Sequence, residues 1–179
     1  DQVKRGIIGS IDDFADSPME SINYVECHDN YTLWDHMQFY IGLRSDDIKF
    51  SEIDCERIHR FSASILFTSQ GIPMMQIGQE MCRTKFGEEN SYQSPDSVNM
   101  VRWEAKRERL STVAYYKGLI ALRRGHPDLF SMTDASVIRS HVTFYEDIHL
   151  EVPRRCIAYR IRGGSYYEQA AGNSGYAQL

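Results

Sequence analysis

The chain has 179 residues, of which 42% are hydrophobic, 12% aromatic and 25% charged, with a formal net charge of −5. That is enough for a real core in one domain, or in one domain plus part of another. It excludes the basic face of a nucleic-acid binder, and no apolar stretch reaches membrane-spanning length, so neither nucleic acid nor membrane is an expected partner.

The opening run Asp1-Gln2-Val3-Lys4-Arg5 is polar, lacks an initiator Met and has no signal-peptide character. It reads as a cut within a longer protein, with any targeting signal upstream. Cys27, Cys55, Cys82 and Cys156 are scattered, without C-x-x-C or zinc spacing. They read as buried, reduced thiols. No metal or cofactor is called for, and a cytoplasmic location is expected, with an extracellular one as the alternative.

Residues 1–21 read as loop or short helix. Ile22 to Cys27 reads as a short strand rich in β-branched and aromatic residues. His28-Asp29-Asn30 breaks it sharply, and a helix follows from Thr32, with Leu33, Met37, Tyr40 and Ile41 on one face and Thr32 or Asn30 as its cap. Arg44 to Phe50 is a polar connection. Ser51-Glu52-Ile53-Asp54 has the form of a capping box and opens a helix to about Thr68, whose predicted apolar stripe is Ile58, Phe61, Ile65 and Leu66. Gly71 ends it. Ile72 to Gly78 is a compact apolar run predicted as a buried strand, with Pro73 at its start.

From Gln79 to Trp103 the pattern is polar, aromatic and aperiodic, a loop of a length that is often functional. Lys106-Arg107-Glu108-Arg109 reads as a solvated helix start. The helix it opens runs to about Arg124 and carries Leu110, Val113, Ala114, Gly118, Ala121 and Leu122 on one side, and Gly125 and Pro127 stop it. Val137 to Tyr145 and Cys156 to Ile161 read as antiparallel strands, and Gly163 to Leu179 as a patternless tail. Two strand–helix units in succession predict an α/β fold with parallel sheet.

In such folds chemistry sits at the carboxyl ends of the strands. The densest polar clusters fall there: His28-Asp29-Asn30, then Gln79-Glu80, Arg83-Thr84-Lys85 and Asn90-Ser91-Tyr92. Taken alone, His28 to Asn30 is explained fully by turn chemistry, the favoured reading there, and Glu80, Arg83 and Lys85 can be read as a surface ion network. The loop also interleaves Phe86, Tyr92 and Trp103 with Asn90, Asp96 and Asn99. Rings beside amides and carboxylates suit a sugar, with its apolar C–H faces and many hydroxyls; plain core packing is the alternative for Trp103.

Ile22-Asn23-Tyr24-Val25-Glu26-Cys27-His28-Asp29-Asn30-Tyr31-Thr32-Leu33-Trp34-Asp35 closely resembles the strand-seven segment of type I pullulanases in the α-amylase superfamily. A second block resembles the same family: Ser69 to Pro73, Gly78 to Met81, Arg83 to Lys85 and Asn90 to Asn99, closing at Trp103. A third is Tyr115 to Arg123. The blocks keep the family's order across roughly residues 20–130.

The resemblance implies the last portion of a (β/α)8 TIM barrel over residues 1–130, followed by the beginning of a C-terminal antiparallel β-sandwich over 131–179. It implies retaining hydrolysis of α-1,6-glucosidic bonds in a branched α-glucan such as pullulan, amylopectin or limit dextrin, without cofactor. Asp29 matches the strand-seven carboxylate that stabilises the transition state, and His28 the neighbouring sugar contact in the cleavage subsite. Asn30, Arg83, Asn90, Tyr92, Asp96 and Asn99 fall on substrate-facing loops.

The family's nucleophilic Asp and general-acid Glu follow strands four and five, which precede this segment, and neither Glu26 nor Glu80 matches their motifs. The chain alone is therefore expected to be inactive, with the preceding part of the parent enzyme as its partner. Gly163 to Leu179 also departs from the family's sandwich pattern. An isoamylase or glycogen-debranching relative, a carbohydrate-binding piece without chemistry, and a fragment that self-associates through open strand edges are the other readings. Cys27 and Cys82, at neighbouring strand ends, are expected to approach each other as thiols.

Overall fold

The structure is a computed structural model that describes residues 2–44 and 51–163, with side chains from 40 to 44 left aside. The expected connection through Phe50, the tail from 164, and Tyr40 and Ile41 on the predicted helix face lie outside the described residues.

Helix α1 spans Gln2–Ile7, and a 3-10 turn spans Pro18–Glu20. Strand β1 is Ile22–Asn23 and β2 is Ile72–Pro73, and the two form a two-stranded sheet. Ile72 N donates to Ser21 O and Met74 N to Asn23 O, each at 2.8 Å. The two bonds advance in the same direction along both strands, which is the parallel pattern. Both strands are shorter than the sequence suggests. The run predicted as a buried strand is in fact open: Ile72 is 38% exposed, Met74 37% and Ile77 55%. Among the described residues each strand has only the other to extend its ladder.

Between them lie α2 (Leu33–Arg44) and α3 (Glu52–Thr68). Thr32 caps α2: its Oγ1 accepts from Asp35 N at 3.1 Å. The capping box of α3 is reciprocal, with Ser51 N donating to Asp54 Oδ2 at 3.1 Å and Asp54 N to Ser51 Oγ at 3.2 Å. The stripe of α3 differs from the prediction. Cys55, His59, Ala63, Leu66 and Phe67 are buried, whereas Phe61 is 64% exposed.

After β2 come a 3-10 turn, Gln79–Met81, and the short helices α4 (Asp96–Asn99) and α5 (Ala105–Glu108), then α6 (Leu110–Gly125). Helix α6 buries Thr112, Val113, Tyr116, Leu119 and Arg123 and leaves Leu110 61% exposed, so its buried side is rotated away from the predicted one. Arg109 is not solvated as its run suggests. It pairs with Glu52 and with Glu56, the latter at 2.5 Å, and its guanidinium lies 5.0 Å from the Trp34 ring.

Pro127 occupies the first turn of α7 (Pro127–Phe130). Helix α8 (Ala135–His141) replaces the start of a predicted strand, because Asp134 Oδ1 accepts from Ser136 N at 2.6 Å and Val137 N at 3.3 Å and so opens a helix. Strands β3 (Val142–Phe144) and β4 (Tyr159–Ile161) pair antiparallel, Val142 opposite Ile161. The element order is helix-rich with small sheets.

The described residues form two compact units interleaved along the chain: 2–22, 69–72 and 123–163, and 23–44, 51–68 and 73–122. In the first, Ile11, Met132, Ile138 and Val142 form the core. Buried Gln70 ties it together: its side chain donates to Leu129 O at 2.7 Å and accepts from Met132 N at 3.1 Å. Arg123 donates to Ser69 O at 2.6 Å and Gly71 O at 2.8 Å. In the second, Ala63, Leu66 and Phe67 of α3 pack on Tyr116 and Leu119 of α6. All four cysteines are free; Cys55 and Cys82 are buried, Cys27 half-buried and Cys156 exposed, which corrects the uniformly buried reading.

Candidate functional site

The strongest sequence signal, the turn at the end of β1, belongs to the second unit. Three local features shape it. Asn30 adopts φ +66°, a left-handed conformation that Asn tolerates, and its Oδ1 accepts from Tyr31 N at 2.8 Å. Glu26 Oε2 accepts from Leu33 N at 2.5 Å, serving one of the free amides in the first turn of α2. Thr32 serves another. The backbone is thus held from both sides while the two candidate side chains project: His28 is 84% and Asp29 79% exposed, with Nε2 and Oδ2 3.3 Å apart. At that exposure their mutual attraction is weak, which leaves both groups free to bind a ligand.

The long loop meets this turn through buried polar groups. Asp35, 3% exposed, accepts from the Thr84 hydroxyl and from Lys85 N at 2.7 Å. Lys85 is 1% exposed, a correction to its reading as a surface charge, and its Nζ donates to His28 O, Glu89 O and Ser91 Oγ. Arg83 donates to Asn99 O at 2.6 Å, and Asn99 Nδ2 donates to Ser91 O at 2.6 Å and Ser94 O at 3.0 Å. Both amide hydrogens of Asn99 are therefore spent on the loop's own backbone. Asn90, Tyr92 and Asp96 carry exposed side chains, Tyr92 at 76%. Trp103 is 58% exposed, so it is not a core residue. Phe86, 64% exposed at φ +57°, has the Arg102 guanidinium 4.6 Å from its ring centroid.

Burial pushes the Glu26 carboxyl up to about 7, against the opposing pull of the Leu33 amide and Arg83 and with the help of Asp35 and Glu80. Its Oε1 and Glu80 Oε2 are buried without a hydrogen-bond partner among the described residues. A carboxyl in such a place favours its proton.

The sequence reading brought His28, Asp29 and Asn30 together correctly on one turn. It missed Glu26, Asp35 and Lys85 as its supports. Thr32-x-x-Asp35 carries the spacing of a capping box, and Glu26 stands between Val25 and Cys27 in an apolar run; those were the available signals. Among the described residues no cluster of three or more His, Cys, Asp or Glu could hold a metal ion.

The features describe a helix-rich segment with small sheets and an exposed His–Asp pair at a strand end, and the comparisons say what it resembles. No family profile matches the chain. It is 38% identical to a pullulanase of Bacillus subtilis over 89% of its own length and 21% of that protein, and 29% identical to an isoamylase of a Flavobacterium over 68% and 18%. Among solved structures, the pullulanase from Bacillus acidopullulyticus superposes with a TM-score of 0.78 at 39% identity, covering 89% of this chain and 18% of that one. The pullulanase from Paenibacillus barengoltzii, in complex with maltohexaose and α-cyclodextrin, gives 0.77 at 40%, covering 88% and 23%. Most of the chain is thus similar to pullulanases and to isoamylase, as a small part of those longer proteins: it spans about a fifth of the first relative's length.

Proposed function

We propose that this chain is the part of a starch-debranching enzyme that supplies the strand-seven side of the cleavage site, where Asp29 stabilises the transition state and His28 contacts the sugar. One observation carries it: a His–Asp pair projects from a rigidly held strand-end turn, in a chain about 40% identical to pullulanases. The finer fold belongs to the same proposal. Residues 1–130 are the end of a (β/α)8 barrel, β1 and β2 being strands seven and eight. The described residues from 131 onward begin a C-terminal β-sandwich. The parallel bonding of β1 and β2 and the antiparallel pairing of β3 and β4 support this reading.

The substrate is a branched α-glucan cleaved at α-1,6 bonds with retention. Such chemistry needs a nucleophilic carboxylate and an acid/base carboxyl about 5 Å apart; the remainder of the parent enzyme supplies both. Asp29 accepts hydrogen bonds from sugar hydroxyls that strengthen as the ring flattens, which favours the transition state over the ground state. Asn30, Asn90, Tyr92 and Asp96 line the approach. Arg83 and Asn99 hold the loop in shape, with Asn99 Oδ1 the atom left for substrate.

In the parent enzyme, Asp29→Asn should lower kcat on pullulan by about 10²–10³-fold with a smaller change in KM. Unaltered kcat would sink the assignment. The purified chain by itself should release no reducing ends from pullulan. The isoamylase match supports a second reading, and the ratio of kcat/KM on pullulan to that on amylopectin decides between them.

A further inference from the structure

Lys85 lies 1% exposed, and among the described residues no carboxylate pairs with its ammonium. Burying a charge without a counter-charge is costly, and hydrogen bonds offset that cost only in part. A methionine of similar length would fill the space more cheaply. What the lysine adds is geometry. Its ammonium has three donors, and they meet three acceptors: His28 O at 3.5 Å, Glu89 O at 3.5 Å and Ser91 Oγ at 3.2 Å.

The first of these acceptors is the informative one. The His28 carbonyl belongs to the peptide that joins His28 to Asp29, so a bond to it sets the plane from which Asp29 departs. The Asp29 side chain, 79% exposed, has the His28 ring as its own polar contact at 3.3 Å. Its direction therefore depends on its backbone. Lys85 in turn is fixed at its own amide by Asp35, which also binds Thr84, and Asp35 stands in the first turn of the helix that follows Asp29. Turn, helix, loop and ammonium close a circuit around one peptide bond.

We propose that Lys85 is a positioning residue for the debranching reaction, acting through the His28–Asp29 peptide to aim the Asp29 carboxylate. This rests on the function proposed above. A displacement near 1 Å can cost about 10²-fold in rate, so loss of the ammonium should fall on kcat.

The test uses the full-length parent enzyme with pullulan. Lys85→Met should lower kcat by about 10-fold or more and leave KM within about twofold. On an Asp29→Asn background the same change should add less than about twofold, because the group it aims is gone. Unchanged kcat in soluble Lys85→Met, or effects that multiply in the double variant, overturns the proposal. Should Lys85→Met fail to fold, Ser91→Ala removes one acceptor and should lower kcat about two- to threefold with KM unchanged; no effect there also overturns it. A wild-type parent that debranches neither pullulan nor amylopectin overturns the debranching reading, and this proposal with it. An active wild type with an indifferent Lys85 overturns only the latter.

Discussion

Glu26 shows how one residue can escape a reading by type and position. In the sequence it is an acid inside a strand, without a motif. In the structure it is 4% exposed and holds the Leu33 amide at 2.5 Å, and burial lifts its carboxyl from 4.5 to about 7. The sign of the consequence follows from linkage. A carboxyl whose folded pKa is raised binds its proton more tightly when folded, so stability falls as pH rises from about 4.5 through about 7. A shift of that size corresponds to roughly 3 kcal/mol. Glu26→Gln keeps an acceptor for Leu33 and cannot ionise. Its melting temperature relative to wild type should therefore rise between pH 5 and pH 7.5; the constant cost of a buried amide cancels in that comparison. Equal differences at the two pH values would show that Glu26 does not carry the proton.

At the scale of elements, the contact between α3 and α6 is polar at its centre. Gln79 Nε2 donates to Tyr116 Oη at 3.0 Å, and Tyr116 Oη lies 3.2 Å from His59 Nδ1, with both Tyr116 and His59 at most 1% exposed. Burial pushes His59 down to about 4, so it packs as a neutral ring. Tyr116→Phe strands two buried partners and should destabilise by about 1–3 kcal/mol. Tyr115→Phe removes an exposed contact to Ser64 and should stay within about 0.5 kcal/mol. Denaturant midpoints of the two variants check the contrast. The same polar seam explains what the sequence concealed. Helix boundaries were legible because Ser51, Asp54, Gly125 and Pro127 are chemical punctuation. The buried faces were not, because a search for apolar stripes passes over His59, Thr112 and Tyr116 and selects Phe61 and Leu110, which are exposed. Asp134 misled in the opposite way: its capping of α8 outweighed the β-branched Val137 and Ile138 behind it. The exposed half of the candidate site, His28 and Asp29, was singled out by its place at a strand end together with the family resemblance on both sides of it, whereas its buried half depends on Lys85 crossing 57 positions to reach His28.

For the molecule as a whole, the governing fact is how little sheet the described residues contain: two sheets of two strands each. A closed barrel needs about eight strands. The β1–β2 pair leaves Ile22 57%, Tyr24 54%, Ile72 38% and Met74 37% exposed. In the parallel register Ile72 stands beside Ile22 in the first unit, and Met74 beside Tyr24 in the second. An exposed apolar surface on a ladder of only two strands is a template for another chain. On the proposed barrel reading the rest of the parent enzyme would cover it; in the isolated chain a second copy is the nearest substitute. The purified chain should therefore scatter light above its monomer mass of 20.7 kDa at micromolar concentration. Tyr24→Lys with Met74→Lys should shift it toward monomer, because charges on such a surface oppose edge and face pairing. The full-length parent should show no association through this face. A wild-type chain that stays monomeric across that range would mean that its own residues protect β1 and β2, and would count against their being two strands of a larger barrel.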